Sequence, residues 1–462
     1  MIKEKKTKIG RKSHPKILLY ASSLRNFRSS VIEYLYEISQ VYPTVLLSEE
    51  LDSETKKILS DKKIFPYLEE IFPVRQYGGE KIGLVKKHRY FCKLAKNIIK
   101  QYQPDIVIAN GSNFFEAYLR RFARKLGVTN VCFMESIPGP KKQMMEEYIL
   151  RIAYFKAPKF LPFFFKLLFA KARTYVGHFL YYVVGPMLIL QKPFLGEPSS
   201  VLIADYSRFK GIDYFIVFSK RDHNILLNDG LWPEKIYIVN HPLKKESSLR
   251  RFFKKINFPK ILRANKKTLI ILWPPEQVGI SRADRSLISK NEIWENRAKT
   301  VNSIANILKK WKIIIKPHPL AENFSEISGY FKPISNIEVK NPTDFAEKYI
   351  EISNVVVGLS PASSILFNSF LRNSKRPTLS LDFQQEFCGD AYKGFEGIEY
   401  IDSEEKLFKI IELIRDQKYQ KSKKTKEEQV DFKNITELIK YLLNKKFLPK
   451  ADSPRVGKTQ SL

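Results

Sequence analysis

Cysteine is almost missing from this chain: three residues in 462, Cys92, Cys132 and Cys388, with no CxxC spacing. That excludes a disulfide framework and a cysteine-based zinc site, and it fits a reducing compartment. The histidines show no metal-ligand spacing, and no DxD-type doublet stands at a strand end. No metal ion and no cofactor are therefore expected; cationic side chains and helix N-termini would neutralise anionic ligands instead. No apolar run follows the basic start Met1–Lys12, which reads as a flexible tail rather than a secretory signal. No repeat of solenoid period is present. Acid is also scarce, with 48 Asp+Glu against 80 Lys+Arg and a formal charge of +32. An excess of this size points to a polyanion, either nucleic acid or an anionic membrane face. The cations are scattered and no RNA- or DNA-reading motif appears, so nucleic acid is not the expected partner.

What is present is an alternation of strand-like and helix-like segments, which predicts an α/β fold with parallel sheets. Lys16–Ala21, Thr44–Leu47, a unit near Ile64–Pro66, Asp105–Ala109 and Thr129–Met134 read as strands or strand units. Helical spacing runs over Lys86–Gln101 and Asn113–Leu126. The pattern resumes with strands Tyr214–Ser219 and Lys235–Val239, flanking a helix that ends near Gly230. A second series comprises strands Thr268–Leu272, Lys312–Ile315, Asn354–Val357 and Pro377–Leu381. Its helices are expected at Val301–Leu308 and Ile365–Leu371, with closing helices at Glu404–Ile414 and Ile435–Leu443. A chain of 462 residues is too long for one core. Two Rossmann-like domains are expected, at 15–244 and 266–446, joined by a basic linker at 245–265. Disordered tails are expected at 1–14 and 447–462.

The first domain is interrupted at 141–200. Residues 151–192 carry seven cations (Arg151, Lys156, Lys159, Lys166, Lys171, Arg173 and Lys192), no acid, and a dense set of Phe and Tyr. Aromatic and aliphatic groups interleaved with cations suit the headgroup boundary of an anionic membrane. Residues 174–191 have no fixed charge and approach the length of a spanning helix. A single span would put two halves of one sheet on opposite sides of a bilayer. An interfacial or re-entrant helical pair is the expectation, with a buried helical insertion as the plain alternative.

Two strand ends carry the chemistry. Trp311–Pro319 finishes in Lys316-Pro-His318-Pro319, and Asn354–Ser364 finishes in Gly358-Leu-Ser360-Pro-Ala-Ser363-Ser364. A Lys and an imidazole at a strand's carboxyl edge can neutralise a diphosphate. A Ser pair opening a helix offers hydroxyls, free N–H groups and the helix dipole to the same anion. Taken singly, His318 reads as a structural residue and the serines as an N-cap. Together, in this order, they predict a phosphate crevice outside the carboxyl ends of parallel strands.

The second half thus resembles the nucleotide-binding domain of GT-B glycosyltransferases. It is similar in particular to bacterial sialyltransferases, polysialyltransferases and related capsule and teichoic-acid transferases, through His318-Pro319 and Ser363-Ser364. The resemblance implies two Rossmann-like domains facing a cleft and a nucleotide-sugar donor. It also implies a cell-surface polysaccharide or glycolipid acceptor, handled by a cytoplasmic enzyme at the inner membrane face. Lys316, His318, Pro319, Ser360, Ser363, Ser364 and Glu276 are the expected donor contacts. A carboxylate in the first domain would serve as base. Glu135, directly after strand 129–134, is preferred by position; Asp229, in Asn228-Asp229-Gly230, matches the family's acidic-Gly letters but reads as a helix-ending turn. His318 is the second expected catalytic group. Ser23, Arg25 and Arg28, leaving the first strand, are candidate acceptor contacts, with an N-cap and solvated arginines as the alternative. A CDP-polyol phosphotransferase would share both motifs, and a sugar-nucleotide 2-epimerase would share the fold. A nucleic-acid-binding protein is the rival from another class.

Overall fold

Short aliphatic runs buried on both faces set the architecture. The computed structural model describes residues 14–21, 31–48, 51, 53–74, 84–109, 114–134, 140–183, 212–244, 267–275, 279–318, 321, 323–344, 346–359, 364–383, 385–387, 389–395, 397–420 and 430–447. Its first strands are β1 (Ile17–Ala21), β2 (Thr44–Ser48), β3 (Leu68–Pro73), β4 (Ile106–Ala109), β5 (Thr129–Met134), β6 (Tyr214–Val217) and β7 (Ile236–Ile238). Every residue of β1, β2 and β4 is buried, as a sheet covered on both faces requires. All seven run parallel in the order β3-β2-β1-β4-β5-β6-β7. Between them lie α1 (Ile32–Ser39), α2 (Ser53–Leu59), α3 (Leu84–Tyr102), α4 (Phe114–Lys125), α5 (Lys141–Phe155), α6 (Phe163–Val183) and α7 (Lys220–Asn228). Phe91, Ala95, Ile98 and Ile99 fall on one stripe of α3 and, with Phe115 and Leu119 of α4, cover Leu18, Tyr20, Val45 and Val107.

The second domain contains β8 (Thr268–Trp273), a small antiparallel hairpin of β9 (Gly279–Ile280) and β10 (Leu287–Ile288), then β11 (Lys312–Pro317), β12 (Ile337–Val339), β13 (Val355–Gly358), β14 (Thr378–Leu381) and β15 (Glu399–Ile401). Its helices are α8 (Lys290–Ile307), α9 (Phe324–Phe331), α10 (Ala346–Ile352), α11 (Ser364–Arg372), α12 (Glu404–Arg415) and α13 (Ile435–Phe447). Six strands form a parallel sheet in the order β12-β11-β8-β13-β14-β15. Alternation along the strands splits the side chains between two cores. Leu269, Ile271, Ile313, Ile315 and Val357 meet α8 and α12. Ile270, Ile314 and Val356 face the other way, towards α10 and α11, in a cluster that continues into Leu19, Ile106 and Phe218 of the first domain.

The two domains are therefore joined by shared core as well as by chain. Tyr34 of α1 stacks on Phe218 at 5.5 Å and lies edge-on to Phe133 at 4.8 Å. His241 meets Phe218 and, across the junction, Phe367 of α11. Beside these rings Arg372 of α11 reaches both Glu33 and Glu351 at 3.4 Å, with all three side chains largely buried. The last closing helix corrects an expectation. It was assigned to the second domain, yet α13 packs on α1. The segment leading to it lies along β7, with Asp431 N bonded to Ile238 O and Val239 bridged to Phe432. The chain ends by crossing back.

Smaller differences have local causes. The unit near Ile64–Pro66 is a turn that buries Ile64 and Phe65, and the strand follows at Leu68–Pro73. The expected linker 245–265 lies outside the described residues, as do 1–13 and 448–462 of the expected tails. The helical pair expected within 141–200 is present as α5 and α6, with 184–200 outside the described residues. No described helix is long and apolar enough to cross a membrane.

Removing the cation of a buried ion-pair network strands its carboxylates, at a cost of about 3 kcal/mol. Arg372→Ala should lower the unfolding free energy by about that much in a denaturant titration. A loss within the range of an ordinary surface substitution would show that the junction is held by its aromatic packing alone.

Candidate functional site

The site is built from three adjacent strand ends. β8 is the first strand of its domain and lies centrally, with β11 on one side and β13 on the other. The chain goes out from β8 to β11 and β12, then returns across β8 to β13, which makes the β8–β13 boundary the switch point of this sheet. Registers Pro317↔Trp273 and Gly358↔Leu272 bring the three carboxyl ends level. Backbone bonds lock the exits: His318 N donates to Trp273 O at 2.8 Å, and Leu359 N to Leu272 O at 3.2 Å. The exits of β11 and β13, one carrying His318 and the other leading to α11, thus leave the same edge two strands apart, roughly 10 Å. Gly358 leaves room for α11 to pack closely on β13. A Cβ there would lie 3.0 Å from a methyl of Leu366.

His318 is half-buried at this edge, its carbonyl accepting from Ala321 N at 2.9 Å. Lys316 departs from its expected role. Its side chain is buried, and Nζ donates to the carbonyls of Pro317 at 2.7 Å and Pro342 at 2.9 Å rather than standing at the rim. Burial lowers its pKa to about 8, against the opposing pull of Asp344 and Glu347. It braces the loop after β11 against the segment after β12.

Ser364 is the first residue of α11, and its side chain lies outside the described residues. Pro319, Ser360, Ser363 and Glu276 lie outside them as well, although the strands they follow, β11, β13 and β8, all end at this edge. Glu135 follows the last residue of β5, and Ser23, Arg25 and Arg28 follow β1; these too lie outside the described residues. Asp229 is placed differently. It caps the far end of α7, its N–H donating to Ile225 O, and Gly230 follows at φ +92. Since α7 runs back from the end of β6 to the start of β7, Asp229 lies at the opposite edge from the strand ends.

A polar cluster that the sequence did not reveal adjoins the switch point. Asp382 directly follows β14 and accepts from Arg282 Nη2 at 2.9 Å and from the Tyr400 hydroxyl at 2.7 Å. Arg282 also reaches Asp390 at 3.2 Å and the Glu386 carbonyl at 3.1 Å. Burial raises the pKa of Asp382 despite these donors, and burial likewise raises that of Glu386. With Arg297 and Thr300 of α8 the two carboxylates line a small pocket of about 30 Å³. The one signal that could have marked Asp382 is an acid directly after the strand run Pro377–Leu381. Its partners come from the β9–β10 hairpin (Arg282) and the edge strand β15 (Tyr400), far apart in sequence, which periodicity does not register. Among the described residues no group of three or more His, Cys, Asp or Glu stands ready to hold a metal.

The Lys316 environment has a pH signature. A lysine whose pKa falls on folding costs stability below the folded value and stops doing so above the unfolded one. The gain therefore appears as pH rises from about 8 to about 10.5. At about 1.4 kcal/mol per unit this amounts to roughly 3 kcal/mol. The Lys316→Met variant should lack that rise, so the wild-type and variant stability curves should diverge by about this amount across the window. Parallel curves over this window would contradict the buried-ammonium assignment.

No protein-family model matches the chain, and no curated protein matches it. Solved structures do. The UDP-GlcNAc 2-epimerase of Methanocaldococcus jannaschii superposes with a TM-score of 0.53 at 13% identity, over 93% of this chain and 99% of that one. A putative UDP-N-acetylglucosamine 2-epimerase from Listeria monocytogenes gives 0.53 at 11% identity, over 87% and 88%. The Neisseria meningitidis UDP-GlcNAc 2-epimerase bound to UDP-GlcNAc gives 0.51 at 11% identity, over 87% and 91%. At such identities the likeness speaks to architecture: two parallel-sheet α/β domains joined across a shared core, the GT-B fold.

Proposed function

We propose that this protein is a glycosyltransferase that binds a nucleotide sugar at the carboxyl edge of the second sheet and transfers the sugar to a glycan or glycolipid acceptor. The observation that carries the reading is the convergence of the β11 and β13 exits on the two sides of β8. There an imidazole and a helix N-terminus leave one edge at the switch point. The donor diphosphate would be held by His318, Pro319, Ser360, Ser363 and Ser364, with Glu276 at the neighbouring β8 exit. Lys316 would set the loop that carries His318. Glu135, at the β5 exit, would take the proton of the acceptor hydroxyl while His318 stabilises the leaving nucleotide. Ser23, Arg25 and Arg28, at the β1 exit, would contact the acceptor. Neither a metal nor a further cofactor is invoked.

The sialyltransferase-like letters His318-Pro319 and Ser363-Ser364 support the donor half of this reading, whereas the sugar they imply does not follow from the fold. The acceptor would be met at the inner face of an anionic membrane, by the basic aromatic segment 151–192. A second reading, a sugar-nucleotide 2-epimerase, is favoured by the UDP-GlcNAc 2-epimerases among the solved structures it resembles. Against it stands the basic, aromatic α5–α6 insertion, for which freely diffusing nucleotide sugars give no use. A CDP-polyol phosphotransferase differs only in donor.

A panel of free and sugar-linked nucleotides should therefore give a melting shift for one base. His318→Ala and Ser364→Ala should each weaken that binding by roughly tenfold or more, as expected for a lost charge-assisted hydrogen bond. An epimerase would interconvert the C2 epimers of its nucleotide sugar without any acceptor; a transferase would release nucleotide only when acceptor is added. A shift that survives both substitutions unchanged would remove the assigned site.

A further inference from the structure

The insertion has two unlike faces. Along the inner one α5 and α6 pack through small residues, with Ile152, Ala153 and Ala170 buried together beside Leu167. Thr174 Oγ1 turns inward onto Ala170 O at 2.7 Å. The other side of α5 is fastened to the second domain, although the hairpin is inserted in the first. Leu150 is buried against Ile280 of β9 and Phe387. Gln143 bonds Asp390 at 3.1 Å, the Tyr154 hydroxyl donates to Arg285 O at 2.7 Å, and Arg285 pairs with Glu146 at 2.6 Å. The hairpin is thus a fixed part of both domains.

Its outer face is apolar and basic. Phe155, Phe160, Phe163, Phe164, Leu168 and Tyr175 are all exposed, Phe160 by 84% and Phe164 by 66%. Phe164, Leu168, Lys171 and Tyr175 follow one another at spacings of three and four, which sets them on one stripe of α6. Lys156, Lys159 and Lys171 are exposed around the same surface, and no acid occurs between Arg151 and Val183. Elsewhere among the described residues the exposed large apolar side chains are scattered singly along the sequence. An aromatic patch ringed by one sign of charge matches an interface that is apolar beneath and anionic at its surface.

We propose that the α5–α6 hairpin is a docking wedge for an anionic lipid bilayer, with the rings of Phe155, Phe160, Phe163 and Phe164 entering the headgroup layer. Lys156, Lys159 and Lys171 then lie at the level of the lipid phosphates. Because α5 is pinned to β9 and to the loop after β14, a docked wedge holds both domains against the same surface. The inference rests on the transferase reading for its purpose, since it names the surface on which the acceptor would be met. The contacts that support it are independent of the nucleotide site.

The test uses the full chain with vesicles of phosphatidylcholine alone and of phosphatidylcholine mixed with phosphatidylglycerol. Wild type should co-float with the anionic vesicles roughly tenfold better than with the neutral ones, and added salt should weaken this. The double substitution F160D/F164D, at positions too exposed to affect folding, should cut binding by at least about tenfold. K156A/K159A/K171A should abolish the preference for anionic lipid. Both variants should keep the nucleotide-induced melting shift, so failure of the wedge and failure of the nucleotide site are separable. The proposal is overturned by a wild type that ignores anionic vesicles or binds neutral ones equally. It is also overturned if F160D/F164D binds as wild type does, or if that variant instead dissolves a dimer. Hairpin-dependent capture of RNA without vesicle binding would overturn it too.

Discussion

The constraint on which everything else depends is the backbone ladder that clamps β8 between β11 and β13. Parallel pairing fixes register, and register fixes where each strand stops. Because Pro317 pairs with Trp273 and Gly358 with Leu272, the residues that follow are delivered to one edge. No side chain at that edge has to pull the site together. The aliphatic runs beneath, Ile313–Ile315 and Val355–Val357, are buried on both faces and hold the ladder in place. What the exits add is chemistry: an imidazole on one side and a helix N-terminus on the other.

A second constraint is that the two domains share apolar core. Rings from α1, α11 and the exit of β6 meet around His241, while α13 packs on the first domain. The β9–β10 hairpin provides a separate attachment, where α5 lies on it. A two-domain protein tied at both places has a cleft whose geometry depends on both seams. The insertion therefore belongs with the arrangement of the domains as much as with the surface it presents.

Much of this could be read from the residues, and the exceptions have physical causes. Buried parallel strands announce themselves because every position is apolar, as in Leu269–Leu272 and Val355–Val357. Edge strands do not: β12 has three half-buried residues and no run to recognise. Helix α8 was expected from Val301 but begins at Lys290, where Ser289 caps Glu292 N in a Ser-x-x-Glu pattern. Its opening turns are too polar for an apolar stripe to mark them. Lys316 was read as a phosphate ligand from its neighbours in sequence. Its two carbonyl partners include Pro342, twenty-six residues away, and only the fold brings them within reach. The Arg282–Asp382–Tyr400 cluster failed to show for the same reason. Asp229 had the right letters at the wrong edge, because a helix following a parallel strand must end where the next strand begins.

The central claim is that the exits of β11 and β13 bind one anionic ligand together. Amide hydrogen exchange with and without the nucleotide that shifts melting tests this most directly. The account predicts slowed exchange in the segment after Pro317 and in the first turn of α11 at the same ligand concentration, with the Asp229 turn unchanged. Protection of only one of the two exits, or protection confined to the opposite edge of the sheets, would contradict it.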